Sequence, residues 1–469
     1  MKGLLTRLTI FVCCITLFQG CSLHKAKKQY EMLKPPESFN HTGPESVDVS
    51  AKWWLKYKDT ILNTLMDEVL EKNTDITQAY YRLEQASAYA KGKTSDLLPD
   101  ISINGSGKIE DSDAYSSNVS NYSLSLAASY EIDLWGKIRS AKKAADFSRE
   151  ASLYDLQAMY ITITSQAGEL YFRALEGKEK VRLCSETVRL NQENVEIISM
   201  GYAQGITDSA ALYSAKQALA GAEAELLRQH AVWKKTVHAL SILQGKSPEV
   251  PDNYSLPFLA EFNEAFPAGV PSGLLKSRPD IQKVLATLKA ADSEIGVAVA
   301  NRFPSISLTA SVGRSGTDLT GDMVSSTFSN LAGNILMPVI DWGRRKAESK
   351  RVKAKFNEML YAYKKAVLNG FREAEDAIAD YGAATGALEQ MKRMTQYSGA
   401  NFARYEMKYT SGLTSYASVI NSKNQYIDAK KRLNEAKLDV ILKNISLVRA
   451  FGGTWMTEDI KRKSEQEKG

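Results

Sequence analysis

The segment Tyr122-Ser123-Leu124-Ser125-Leu126-Ala127-Ala128-Ser129-Tyr130-Glu131-Ile132-Asp133-Leu134-Trp135-Gly136-Lys137 changes its periodicity within sixteen residues. Up to Ile132, Tyr, Leu, Leu, Ala, Tyr and Ile alternate with Ser, Ser, Ala, Ser and Glu, the period of two that marks a strand with unlike faces. From Lys137 to about Met200 there is no proline, and Phe147, Ala151, Tyr154, Ala158, Ile161, Ser165, Gly168, Phe172 and Leu175 keep the alternating four-three step of a coiled-coil seam. A strand therefore feeds a helix several times its own length.

The same arrangement occurs twice. Asp133-Leu134-Trp135-Gly136-Lys137 is echoed by Asp341-Trp342-Gly343-Arg344, the Trp-Gly pairs standing 207 residues apart (342 minus 135). Tyr202-Ala203-Gln204-Gly205-Ile206-Thr207 matches Tyr409-Thr410-Ser411-Gly412-Leu413-Thr414 at 207. Leu98-Pro99-Asp100-Ile101 matches Phe303-Pro304-Ser305-Ile306 at 205, as Asp75-Ile76 matches Asp280-Ile281. This is a tandem duplication, with a period far above the ~50 residues of solenoid units. Between the copies, Gly245 to Pro279 holds six of the 12 prolines, which interrupt regular helix and mark a connector.

Each copy offers two strands. Ile101, Ile103 and Ile109 alternate with polar residues ahead of Tyr122–Ile132; Ile306, Leu308, Ala310 and Val312 alternate with Ser305, Ser307, Thr309 and Ser311 ahead of a strand carrying Leu331, Gly333, Ile335, Met337 and Val339 on one face. The polar segments 110–121 and 313–326 predict loops closing two antiparallel hairpins. Any one strand also suits the edge of a soluble sandwich. Together their length matches the ~9–11 residues of a tilted transmembrane strand, and their second face of Ser, Thr and Asn suits a wet lumen.

Four strands cannot close a membrane barrel, whose minimum is about eight, and an unpaired edge in lipid leaves backbone groups unsatisfied. The barrel must be shared between chains. Two copies give eight strands and a filled interior, three give twelve and an interior that can stay open; the sequence does not count the copies.

The second long helical stretch, from Arg344 to about Lys408, repeats Leu360, Val367, Ala374, Tyr381 and Leu388 every seven residues, beside Phe356, Tyr363, Gly370, Ala377, Ala384 and Met391. At 1.5 Å per residue, helices of ~64 residues extend ~95 Å, well beyond a ~30 Å bilayer core. Each meets a glycine turn and returns, over Asp208 to Leu243 and Ser415 to Phe451, with Thr207 or Asp208 and Thr414 or Ser415 as candidate N-caps. Since each strand hairpin begins and ends on one side, both helical hairpins hang from that side, expected to be the periplasm.

Composition agrees. With 44% apolar and 24% charged residues the chain is neither disordered nor a polytopic helical membrane protein, and 60 basic against 54 acidic residues gives +6, too little and too dispersed for nucleic acid. Lys2 and Arg7 precede an apolar run from Leu8 to Phe18, a signal-peptide core. The run ends Leu17-Phe18-Gln19-Gly20-Cys21-Ser22, which resembles a bacterial lipobox, although Phe18 stands where Leu is usual and Gln19 is bulky. Cys21 is the expected lipidation (palmitate) site, and Ser22 resembles outer-membrane sorting. The other cysteines, Cys13, Cys14 and Cys184, leave one in the body, so no disulfide framework is possible.

These features resemble the TolC family of outer-membrane efflux factors, within it the lipoprotein branch typified by OprM and NodT. The resemblance rests on Trp53-Trp54, Tyr130 to Lys137, Ser277-Arg278-Pro279-Asp280-Ile281 and Asp341 to Arg344, in that order, with the duplication and the leader. It implies a mixed fold of all-α coiled coil plus transmembrane β: four strands per protomer in a trimeric, twelve-stranded β-barrel continued by a long periplasmic α-helical barrel. It implies a homotrimer acting as the exit duct of a tripartite multidrug efflux pump, with a periplasmic membrane-fusion adaptor, an inner-membrane transporter of RND type and outer-membrane lipid as partners. The tips Gly205, Ile206, Thr207, Gly412, Leu413 and Thr414 would contact the adaptor. Tyr409 matches a tyrosine that holds the periplasmic gate shut, while the positions of the usual acidic rings read Ser418 and Asn421, so a weaker cation block is expected.

The implied plan is signal peptide 1–20; lipid-anchored segment 21–58; helices 59–98; β-hairpin 99–135; helical hairpin 136–244; equatorial connector 245–279; helices 280–303; β-hairpin 304–341; helical hairpin 342–451; tail 452–469. No cofactor, metal site or catalytic residue is expected. His24, His41, His230 and His238 are the only histidines and form no ligand spacing, Cys184 reads as a packed thiol, and there is no phosphate loop, Gly-x-Ser-x-Gly or His-Glu-x-x-His. The alternative reading is a periplasmic coiled-coil scaffold or adaptor lipoprotein without a pore. For the anchor, cells fed a fatty-acid analogue should label the wild-type chain and not Cys21→Ala; an unlabelled wild type removes Cys21 from the argument.

Overall fold

A computed structural model describes residues 51–110, 119–249, 277–316 and 326–466. A 3-10 turn (Trp53–Tyr57) leads into α1 (Thr60–Lys72) and α2 (Thr74–Ser95), then β1 (Asp100–Glu110), β2 (Val119–Ile132), α3 (Lys137–Ala203) and α4 (Ser209–Leu243). The second repeat supplies α5 (Pro279–Ala300), β3 (Ser305–Gly316), β4 (Ser326–Leu336), α6 (Arg344–Thr410) and α7 (Tyr416–Phe451), and α8 (Met456–Gln466) ends the described chain. Both α3 and α6 have 67 residues, about 100 Å at 1.5 Å each. No helix among the described residues is long and apolar enough to cross a membrane. The chain divides into two compact units: the sheet with the helix segments next to it, and the remaining helices.

In the first unit β1, β2, β3 and β4 form one antiparallel sheet in sequence order. The register aligns one apolar face across it: Ile103 opposes Leu126, Leu126 opposes Val312, Ala310 opposes Leu331 and Ile306 opposes Ile335. Along that face Ile101, Ile103, Leu124, Leu126, Val312, Leu331 and Ile335 are between 47% and 74% exposed. So wide a band of exposed branched side chains requires a non-aqueous surrounding. The opposite face carries Ser102, Asn104, Ser106, Ser123, Ser125, Ser307, Thr309, Ser311 and Asn330, with hydroxyl contacts across strands at Ser106–Ser123 (2.8 Å) and Ser315–Ser326 (3.2 Å). Phe328 departs from this pattern; it lies on the polar face over Gly313, where a Cβ would sit 2.5 Å from the Leu124 carbonyl.

The strands differ from expectation at their ends. β2 begins at Val119 and β3 continues to Gly316, so both loops are shorter than predicted. β4 begins at Ser326 and stops at Leu336, not near Val339, because Pro338 has no N–H to extend the ladder. Met337, Val339 and Ile340 are left outside the strand and exposed. β1 and β4 are the outer strands, each with one unpaired edge in this sheet.

In the helical unit Ile161, Ser165, Gly168, Phe172 and Leu175 of the predicted α3 seam and Val367, Gly370, Ala374, Ala377, Ala384 and Leu388 of the α6 seam are buried, while Ala158, Tyr381 and Met391 are half-buried. In the sheet unit Phe356 and Tyr363 are buried and Phe147, Ala151, Tyr154 and Leu360 half-buried. Trp53 and Trp54 anchor an aromatic cluster. Trp54 meets Trp455 at 5.0 Å, Tyr57 meets Phe172 at 4.8 Å, Tyr171 donates to Asp59 Oδ2 at 2.6 Å, and Gly168 leaves room for the Trp53 ring. The C-terminal segment carries α8: Trp455 holds its start in this cluster, and Asp459 pairs with Lys52 at 3.3 Å.

The duplication extends to individual contacts. Asn73 donates from Nδ2 to the Leu243 carbonyl (2.9 Å); its image Arg278 donates to the Ala450 carbonyl (3.3 Å) and pairs with Asp280 and Glu373. Gly245 (φ 69°) lies against the Lys72 carbonyl, as Gly452 (φ 74°) lies against that of Ser277. A side chain at either glycine meets backbone, whereas Gly412 (φ 73°) opens onto free space. Gly452→Ala should therefore cost upwards of ~2 kcal/mol and Gly412→Ala only the left-handed penalty of ~1 kcal/mol, read as midpoints of thermal unfolding.

Candidate functional site

The two helical turns are built alike. At the end of α3 the Gly205 amide donates to the Tyr202 carbonyl (3.0 Å) and the Ile206 amide to the Gly201 carbonyl (2.8 Å), with Gly205 at φ 71°. At the end of α6 the Gly412 amide donates to Tyr409 (2.9 Å) and the Leu413 amide to Lys408 (2.8 Å), with Gly412 at φ 73°. Both are Schellman terminations, which satisfy the last free carbonyls and need a left-handed residue where the sequence places glycine. The caps that follow are Asp208, accepting from the Ala211 amide (2.8 Å), and Ser415, accepting from Ser418 (3.4 Å), not the threonines before them. Thr207 instead turns back to donate to the Ile198 carbonyl (3.2 Å). The apolar residue after each glycine points outward: Ile206 is 74% exposed and Leu413 77%.

Below the second turn, the Tyr409 ring meets Tyr416 with centroids 5.2 Å apart, and Tyr416 packs against the buried cluster of Leu183, Leu190, Ile420 and Ile427. Burial, with Glu193 and Tyr409 adding to it, raises the Tyr416 phenol above its ordinary pKa, so it stays neutral. Ser418 is tied to Ser415 by their hydroxyls (3.1 Å), and Asn421 is exposed. The structure thus brings Tyr409 and Ser418 to one turn and sets Asn421 on the open face of α7. That face continues through Gln425 to Asp428, its first carboxylate, roughly 10 Å farther along the axis. Reading by motif alone missed Asp428; its seven-residue spacing from Asn421 was the available signal. On the sides packed against neighbouring helices, Asn424 reaches Asn191 (3.4 Å), Lys423 lies over the Phe402 ring (4.4 Å) and Lys180 pairs with Glu435 (2.6 Å).

At the exit of the sheet, Asp133 receives the Ile138 and Arg139 amides (3.0 and 2.9 Å) and the Arg139 guanidinium (3.0 Å), fixing the first turn of α3. Trp135 donates its indole N–H to the Pro304 carbonyl (2.7 Å) and packs on Phe303 (5.0 Å). The second junction is one residue shorter between Asp and Trp. Asp341 receives the Gly343 and Arg345 amides (3.0 and 3.2 Å), but Trp342 is driven to φ 52° and is 96% exposed. A left-handed conformation at a bulky residue is strained, and the sequence motif gave no sign of it.

Cys21 lies outside the described residues. Cys184 is buried, and desolvation pushes its thiol above the ordinary cysteine pKa. Among the described residues no three His, Cys, Asp or Glu side chains converge as metal ligands, and His230 rests on Trp233 at 5.8 Å.

The profile of the family described as "Outer membrane efflux protein" matches this chain twice, over residues 65–246 and 270–453. The chain is 28% identical over 447 residues to the pyoverdine export outer membrane protein OpmQ of Pseudomonas aeruginosa, covering 91% of this chain and 92% of that protein. It is 24% identical over 450 residues to the cation efflux system protein CusC of Escherichia coli, covering 94% and 98%. Its fold is similar to that of the Campylobacter jejuni CmeC outer membrane channel, with a TM-score of 0.86 at 23% identity over 95% of this chain and 98% of that one.

Proposed function

The chain belongs to the outer membrane efflux protein family and is the outer-membrane exit duct of an efflux pump, and from that premise we propose how the duct is assembled, docked and closed. The observation that carries the proposal is the four-stranded sheet, apolar on one exposed face, hydroxyl-rich on the other and open at both edges. Three copies pool these sheets into a twelve-stranded barrel, apolar face to lipid and hydroxyl face to the lumen. Three is the smallest number of copies that leaves an interior wide enough to conduct. The helical hairpins α3–α4 and α6–α7 of the three subunits continue the barrel as a periplasmic tunnel, and the lipid on Cys21 holds the N-terminal segment at the membrane.

The partners are a periplasmic adaptor and an inner-membrane transporter of the RND class, which supplies the energy; the duct conducts drugs or other small molecules passively. The tips Gly205-Ile206-Thr207 and Gly412-Leu413-Thr414 receive the adaptor, supported by two exposed apolar side chains held on rigid, fully hydrogen-bonded turns. Deletion should sensitise cells to the pump's substrates, and the wild-type gene should restore resistance. Ile206→Glu with Leu413→Glu should assemble normally and fail to restore it, with adaptor affinity at least roughly tenfold lower in pull-downs; full restoration would remove the tips from the interface.

The periplasmic mouth is narrowed by Tyr409, Ser418 and Asn421. An uncharged ring hydrogen-bonds between subunits without concentrating cations. In planar bilayers the wild-type channel should be little affected by multivalent cations, and Asn421→Asp should introduce a block; identical cation responses in the two would place the constriction elsewhere.

A further inference from the structure

The tandem repeat imposes a rule on contacts. Adding 205 to residues before the midpoint of a repeat and 207 to those after it converts the strand register of the first copy, and the following contacts, into those of the second. Ile103 opposite Leu126 becomes Leu308 opposite Gly333, and Asn73 on the Leu243 carbonyl becomes Arg278 on the Ala450 carbonyl. Gly245 against Lys72 likewise becomes Gly452 against Ser277.

Contacts that join the two repeats have no image within the subunit, and one of them leaves a large side chain uncovered. At the seam where β2 meets β3, Trp135 donates to the Pro304 carbonyl at 2.7 Å and lays its ring against Phe303. Moving Trp135 forward by 207 gives Trp342, and moving Phe303-Pro304 back by 205 gives Leu98-Pro99. Trp342 is 96% exposed and Leu98 67% exposed. They flank opposite outer strands, Trp342 following β4 and Leu98 preceding β1. They can meet only where β4 of one copy meets β1 of the next.

We infer that the occupant of the exposed Trp342 indole is a second copy of this chain: its N–H donates to the backbone carbonyl of Pro99 of the partner subunit, and its ring covers Leu98 of the partner subunit. The same rule sets the register of the intersubunit seam. Ala128 opposite Ala310 becomes Ile335 opposite Gly105, and Leu126 opposite Val312 becomes Gly333 opposite Gly107, so apolar faces stay aligned across the boundary. The contact satisfies an indole that in the single chain faces solvent, and it offsets the backbone strain at Trp342. Because the contact is heterologous, each subunit gives one tryptophan and receives one, as a closed ring requires.

This inference rests on the shared-barrel reading, and its test separates the two. Full-length Leu98→Cys/Trp342→Cys in native outer membranes, treated with a short bismaleimide, should run as a ladder ending at the closed oligomer, while each single variant stays monomeric on denaturing gels. Native mass spectrometry of the detergent-extracted wild type reports assembly independently. A trimer that gives no ladder overturns the tryptophan contact and leaves the shared barrel standing; a monomer overturns both. Trp342→Phe keeps the ring and loses the donor, and should weaken subunit association about tenfold. Association unchanged in that variant overturns the hydrogen bond.

Discussion

A β-sheet in lipid has no water to satisfy its edges, and this constraint governs the rest of the molecule. Every N–H and C=O along the open sides of β1 and β4 needs a partner, yet among the described residues there are four strands, and their pairing with one another leaves those two edges open. The apolar face excludes water as a surrounding, since its Ile, Leu and Val side chains lie exposed over the full width of the sheet. Pairing edge to edge with further copies meets both demands at once, and in the proposed trimer the lumen face of Ser, Thr and Asn becomes the wall of a wet passage. At the exits of the sheet, Asp133 and Asp341 each receive backbone amides from the start of the following helix, α3 and α6.

Duplication provides a subunit that contains its own neighbour. The seam between β2 and β3 joins two repeats within one chain, and the same geometry can be reused between chains. The two copies are not interchangeable, however. A neutral Asn73 in the first corresponds to a charged Arg278 with two carboxylate partners in the second, and Trp135 is packed where its counterpart Trp342 is exposed. The two helical turns share their Schellman geometry but differ in their caps: Asp208 carries a charge that Ser415 lacks. In the proposed trimer a docking partner would meet two alternating kinds of tip.

The chain belongs to a family of outer-membrane efflux proteins, and its sheet sets a hydroxyl-rich face against an exposed apolar one. Relatives named for pyoverdine export and for cation efflux share most of their length with this chain. Cargo selection is thus not fixed by the common frame. At the mouth proposed for this chain stand Ser418 and Asn421, with the first carboxylate of that face, Asp428, two turns farther along α7.

Read alone, the sequence determined the strands, the long helices, the glycine turns and the duplication, because each depends on periodicity or on a residue with unusual backbone freedom, and both are local properties. It also determined that four strands must be shared, which follows from counting hydrogen bonds. Strand limits were less accessible: Pro338 ends β4 three residues before the alternation of Leu331 to Val339 does, since side-chain pattern does not report a missing amide. The choice of Asp208 and Ser415 over Thr207 and Thr414 as caps, and the helix over Met456–Gln466, were decided by packing and by hydrogen-bond geometry. Only tertiary structure showed that two matching Trp-Gly motifs hold opposite fates, one indole packed on Pro304 and the other facing outward. Exposure is a property of what surrounds a residue, and in a subunit built to be completed by its copies the surroundings are not all in one chain.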